Sequence, residues 1–198
     1  MKILIIGASG IIGKPLFESL GKEHEVFGAY RSSAEYPVDT RDAASVRLLL
    51  ERLPKLDAII NAAGGAVWKE FDLLTEADYY VGIKDKLMGQ VNLVHTAKEF
   101  LNPNGSITLT TGILADFPES SSAGLALVNG ALHSFVMAAA PQLKNNIRLN
   151  VVAPGAIKGT IEGEELFAGH EPVAIEAVID VYKEALSGSK TGHVFKIY

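Results

Sequence analysis

The 198-residue sequence contains no cysteine. That excludes disulfides, thiolate metal sites and cysteine nucleophiles, and it suits a reducing, cytoplasmic setting. Charge is modest: 21% of residues carry it, the net value is −5, and no block of one sign occurs. Neither a nucleic-acid partner nor a membrane surface is expected from such a pattern. No apolar run approaches the roughly 20 residues of a membrane span. Residues 1–6 are too short for a secretory apolar core before glycine interrupts them. There is no internal repeat and no low-complexity linker, so a single domain over 1–198 with a sizeable core is expected.

What is present alternates. Residues 2–6 form an isoleucine-rich run that fits a strand buried on both faces. A helix follows, with Ile12, Leu16 and Leu20 on one stripe, Pro15 tolerated in its first turn and Gly21 as its stop. Strands are expected at 24–30, 36–39, 56–64, 105–112, 147–155 and 193–198. Helices are expected at 43–53, from the Thr75–Asp78 capping box to about 101, at 125–143 and near 172–186. This order predicts an α/β fold: a doubly wound parallel sheet, Rossmann-like, of about seven strands with helices on both faces.

Gly7, Gly10 and Gly13 stand in G-x-x-G-x-x-G, directly after the first strand and opening a helix. Small residues there let the backbone approach a pyrophosphate, and a helix N-terminus offers it free N–H groups and the positive end of a dipole. The plain alternative is a tight strand-to-helix turn without a ligand. Further along, Asn61-Ala62-Ala63-Gly64 ends a strand, Lys86-Leu87-Met88-Gly89 lies within the long helix, Thr110-Thr111 ends the next strand, and Asn150 through Pro154-Gly155 ends another. With the glycine loop, this order resembles the short-chain dehydrogenase/reductase superfamily over nearly the whole chain, in a short, divergent form.

The resemblance implies a bound nicotinamide dinucleotide. Gly7, Ser9, Gly10, Ile12 and Gly13 would border the phosphates and adenosine ribose, Asp39 the adenine, and Asn61, Ala62 and Gly64 the adenosine side. Pro154, Gly155 and Ile157 would touch the nicotinamide. Asp39 also suits capping the following helix, and Asn61 suits fixing neighbouring strands. At the end of the second strand, where an acid would favour NAD(H), the chain has Tyr30-Arg31-Ser32-Ser33. Arg31 with Ser32 fits a 2′-phosphate, so NADP(H) is expected, with NAD(H) the alternative. No metal site is expected.

The superfamily's catalytic tyrosine and the lysine four residues later are absent. The stretch that should carry them reads GLALVNGALHSF, which puts Leu125 and Asn129 in their places, or Gly124 and Val128 when counted forward from Thr111, and no tyrosine occurs between Tyr80 and Tyr182. Tyr80 and Lys84 do spell Y-x-x-x-K, but in the preceding helix, where a plain helix face is expected. Lys86 stands where the superfamily has asparagine, and Thr111 where it has serine. These two are the candidate catalytic residues: Lys86 as a polarising cation, or else a surface lysine pairing with Asp85, and Thr111 as a carbonyl-orienting hydroxyl. Asp116 and His133 are further titratable groups that could also face the cleft, with solvated or structural roles expected ahead of catalytic ones. The activity implied is an atypical oxidoreductase acting on a small carbonyl or alcohol. The alternative is a catalytically silent dinucleotide-binding, regulatory or interaction protein. Small residues on the helices at 76–101 and 125–143 imply, through the resemblance, a homodimer or homotetramer. The acidic segment 156–172 would flank a substrate that the sequence does not name.

Overall fold

The computed structural model describes residues 1–160, 167 and 169–198. Lys2–Ile6 forms β1, with Ile3, Leu4 and Ile5 fully buried. A strand alternates its side chains between two faces, and β1 feeds both cores. Ile3 and Ile5 join Leu16, Leu20, Val178 and Tyr182 on one side. Leu4 and Ile6 join Val46, Leu49, Leu93, Leu132 and Val136 on the other. Helices α1 (Gly13–Leu20) and α6 (Ile175–Ser187) cover the first face. The second is covered by α2 (Ala43–Glu51), by the helix ending in α4 (Gly89–Ala97) and by α5 (Ala123–Ala139).

The sheet has six strands, every pair parallel, in the order β2-β1-β3-β4-β5-β6. The others are β2 (Glu25–Ala29), β3 (Leu56–Asn61), β4 (Leu101–Thr110), β5 (Arg148–Pro154) and β6 (Val194–Ile197). Strand order reverses between β1 and β3, which opens a crevice at their carboxyl ends, the usual ligand position in such sheets.

The expected seventh strand at 36–39 does not form. Only one bridge, Tyr30 to Pro37, connects it to the sheet edge. Proline has no N–H to continue a ladder, and the N–H of Tyr36 turns instead to the Ser33 hydroxyl. β4 also starts earlier than 105. Its register jumps between the Leu56–Leu101 and Ala58–Ser106 pairs, around Pro103 and Asn104, the latter at φ 64°.

The Thr75–Asp78 capping box is present and opens α3 (Glu76–Gly82). The helix then widens into π-helical turns over Ile83–Met88 before resuming as α4. Ala123–Gln142 is a 20-residue helical stretch of mean hydropathy 1.5, apolar and long enough by composition to cross a membrane. Here Val128, Leu132 and Val136 are fully buried in the core.

Candidate functional site

The glycine loop closes on itself and on β3. Gly7 takes φ +85°, and a Cβ there would come within 2.8 Å of the Ala62 carbonyl carbon. A Cβ on Gly13 would sit 2.0 Å from the Gly7 oxygen. Gly13 therefore serves the contact between helix and strand, whereas Gly10 is exposed and lines the cleft. Ile12 occupies the cap position of α1, no side chain caps that helix, and no acid lies in its first turn. The Lys14 N–H is taken by the Gly10 oxygen and Pro15 has none, so the N–H groups of Ile12 and Gly13, with the dipole, are left to an anion.

A cavity of about 250 Å³ opens beside the loop, lined among others by Gly7, Ser9, Gly10, Arg31, Ala62 and Gly64. Six expected contact residues thereby meet in one place. Val38 and Thr40 also line it, but Asp39 does not. The Asp39 carboxylate is chelated by the Arg41 guanidinium at 2.9 and 2.6 Å, which holds it down to about 2. The cap of α2 is Asp42, whose side chain accepts from the Ala44 N–H. Arg31 lies 3.6 Å from Asp85 with its side chain 65% exposed, and Ser32 is exposed outside this cavity.

Lys86 sits in the π-helical turn and is only 7% exposed. Gly64, at φ +110°, makes room for it: a Cβ there would be 3.0 Å from the Lys86 Cα. Asp85 is committed elsewhere, accepting from the Gly65 N–H at 2.9 Å and facing Arg31. Among the described residues no hydrogen bond or ion pair engages the Lys86 ammonium. Burial lowers its pKa to about 8, Asp85 opposing weakly. Tyr80 and Lys84 lie on the solvent side of the same helix.

At the neighbouring strand end, Thr111 is 6% exposed and its hydroxyl meets His133 Nε2 at 2.9 Å. A Cβ on Gly112 would be 3.6 Å from both the Asn129 amide nitrogen and the Pro154 oxygen. Thr111, Asn129 and Pro154 therefore converge. Gly155 donates to the Ile197 oxygen, and Ile157 bridges to Val173, so the expected nicotinamide-side residues are held against β6 and the segment before α6. Residues 161–166 and 168, within the expected substrate-side segment, lie outside the described residues.

Two buried acceptors have no partner among the described residues: Oδ1 of Asn61 and Oδ1 of Asn129. Each marks a place where a donor is wanted. The amide of Asn61 donates to the Ala63 oxygen, which aims the residue at the NAAG turn. Asn129 was expected at the superfamily's lysine position and His133 as a titratable group at the cleft with a solvated or structural role; what their apolar helix hid is that both are buried, beside Gly112 and Thr111 respectively. The four-residue spacing of the pair was the available signal.

A family profile described as enoyl-(acyl carrier protein) reductase matches residues 18–173. The uncharacterized oxidoreductase YmfI of Bacillus subtilis is 25% identical over 210 residues, covering 89% of this chain and 83% of that protein. The crystal structure of the protein lin1944 from Listeria innocua is 37% identical, covers 100% of both chains and superposes with a TM-score of 0.95. A small-chain dehydrogenase solved in complex with NADPH shares the fold at 24% identity and a TM-score of 0.88, over 100% of this chain and 96% of that one.

Proposed function

The chain belongs to the short-chain dehydrogenase/reductase superfamily, and from that membership we propose that it is an NADP(H)-dependent oxidoreductase of atypical active site, acting on a small carbonyl or alcohol. The cofactor supplies or accepts a hydride; the protein binds, orients and handles the proton. The residues present fit such a group. Gly7 and Gly10 leave the backbone open at an uncapped helix N-terminus, and two buried amide oxygens await donors. Gly7, Ser9, Gly10, Ala62 and Gly64 would hold the adenosine diphosphate. Asn61 would support the adenosine side, and Pro154, Gly155 and Ile157 would flank the nicotinamide. Asp39 would reach the adenine only by leaving Arg41.

The 2′-phosphate reading rests on Arg31. Its long, exposed pairing with Asp85 contributes little to stability, so the guanidinium is free to exchange that carboxylate for a phosphate, a bidentate partner of higher charge. Calorimetric titration tests this. NADPH is expected to bind at least tenfold more tightly than NADH, and Arg31→Ala is expected to remove that advantage while leaving NADH unchanged. Equal affinities in the wild type would overturn it.

The observation that carries the catalytic reading is Lys86: a buried ammonium beside the NAAG turn with its adjacent acid turned away. We propose that it faces the nicotinamide ribose and the substrate oxygen, where it polarises a carbonyl held by the Thr111 hydroxyl. NADPH oxidation with a panel of aldehydes and ketones is expected to show slow turnover, abolished by Lys86→Met. A second reading, a silent dinucleotide-binding or regulatory protein, draws on Leu125 and Asn129 standing where the superfamily's tyrosine and lysine belong. Tight NADPH binding without turnover of any carbonyl would select it.

A further inference from the structure

A reductase needs a proton path as well as a hydride path, and neither Tyr182 nor Tyr198 offers one. The Tyr182 hydroxyl is fully buried and pairs with Thr110 at 2.6 Å. The Tyr198 hydroxyl donates to the Asp116 carboxylate. Burial raises the pKa of both, the carboxylate adding to it for Tyr198, which makes each a poorer proton donor than free tyrosine.

Thr111 and His133 form a different pair. Thr111 directly follows β4, at the carboxyl end of the sheet, and its N–H is fixed to the Val152 oxygen at 2.9 Å. Its hydroxyl meets His133 Nε2 at 2.9 Å, with His133 9% exposed. The hydroxyl still has capacity for one more partner. His133 lies one helical turn beyond Asn129 on α5, so the two share a face. Two charges act on the imidazole: the Asp116 carboxylate, and Lys196, which is bound to that carboxylate at 2.9 Å. They oppose each other, and burial, the largest influence, moves the imidazole below the ordinary histidine value. Burial thus favours the neutral imidazole, the form able to take a proton.

We propose that His133 is the proton relay of this site, acting through the hydroxyl of Thr111. This rests on the oxidoreductase reading. In alcohol oxidation the substrate O–H breaks and its proton passes to Thr111 Oγ1, whose own proton passes to His133 Nε2. A bound NADP⁺ would accept the carbinol hydrogen together with both C–H electrons, as hydride, which leaves the C=O bond. The imidazolium then releases its proton to solvent. Carbonyl reduction runs the same transfers backwards. Lys86 polarises the oxygen throughout; His133 is a positioning and relay residue that touches no substrate atom.

The test has a spectroscopic arm and a kinetic arm. In protein labelled with ¹⁵N-histidine, the His133→Gln variant identifies the His133 signal among the five histidines. Its midpoint is expected below that of free histidine, shifted by Thr111→Val, restored in Thr111→Ser and moved by NADPH. A signal indifferent to Thr111→Val overturns the pair even if no turnover is found. In the kinetic arm, NADP⁺-dependent oxidation of 1-phenylethanol is followed from pH 5 to 9. The rate is expected to rise through the midpoint seen by NMR, because the base must be neutral to act. His133→Gln is expected to lose about 10²-fold in kcat with KM little changed, and to lose that limb. Full turnover with the same limb in His133→Gln overturns the relay and leaves the oxidoreductase reading standing. No turnover in the wild type with either 1-phenylethanol or 4-nitrobenzaldehyde overturns that reading, and the relay with it.

Discussion

Lys86 is the residue whose environment departs furthest from what its chemistry prefers. A buried ammonium without an acid costs folding free energy. Its pKa, lowered from 10.5 to about 8, states the cost with its sign. The unfolded chain keeps the proton up to its higher value while the folded chain releases it earlier. The penalty is therefore full below about pH 8 and fades as pH rises toward 10.5. At 1.36 kcal/mol per unit it reaches about 3 kcal/mol at most. Lys86→Met is accordingly expected to raise the melting temperature of the cofactor-free protein at pH 7, with the gain shrinking between pH 8 and 10. Melts of both proteins across that range check it; a destabilised variant at pH 7 would mean that the ammonium has a partner. The position of Lys86 was legible in the sequence as a departure from a known pattern. Its burial was not, because the adjacent Asp85 offered an obvious surface pair, and only the fold turns that acid to Gly65 and Arg31.

At the scale of elements, the strand-to-helix turn after β1 separates folding from binding between two glycines. A methyl on Gly13 meets the Gly7 oxygen at 2.0 Å, backbone against backbone, so α1 would have to move away from the sheet. A methyl on Gly10 meets the same oxygen at 3.3 Å, a contact that small shifts relieve. Gly13→Ala is expected to cost about 3 kcal/mol, the upper end for overpacking, and Gly10→Ala less than about 1 kcal/mol. Gly10→Ala should nonetheless weaken NADPH binding, because the methyl occupies the approach to the helix N-terminus. Urea unfolding and calorimetry on both variants separate the two effects; equal stability losses would refute the division. The buried β1 run, the capping box and the NAAG turn could all be read from sequence because each is a local device. The π-helical widening over Ile83–Met88 could not, since no residue there demands it. It occurs where Lys86 packs over Gly64, a contact between segments more than twenty positions apart. The missing edge strand is the converse: Val38 and its neighbours have strand propensity, and Pro37 removes the hydrogen bond that pairing needs.

At the scale of the molecule, α5 has two opposed faces. The inner one carries Val128, Leu132 and Val136 into the core and presents Asn129 and His133 near the cleft. The outer one leaves Leu127 45% and Met137 54% exposed, with nothing within 4 Å of where a Gly130 Cβ would stand. Tyr80, Val81 and Met88 add exposed apolar surface on the helix packed beside it. Large apolar side chains grouped on one face, around a glycine that permits close approach, suit a second copy of the chain meeting it about a twofold axis. We propose a homodimer, or a homotetramer containing it, through this face. Light scattering at micromolar concentration is expected to give twice the monomer mass or more, and Leu127→Asp to give a folded monomer. The charge is tolerable in the isolated chain because Leu127 already meets solvent there. Since the same helix holds Asn129 and His133 from behind, loss of the second copy removes its outer support. Leu127→Asp should then also weaken NADPH binding several-fold while circular dichroism stays native. A wild-type monomer would end the proposal. A Leu127→Asp monomer with unchanged NADPH affinity would keep the interface and deny its coupling to the site.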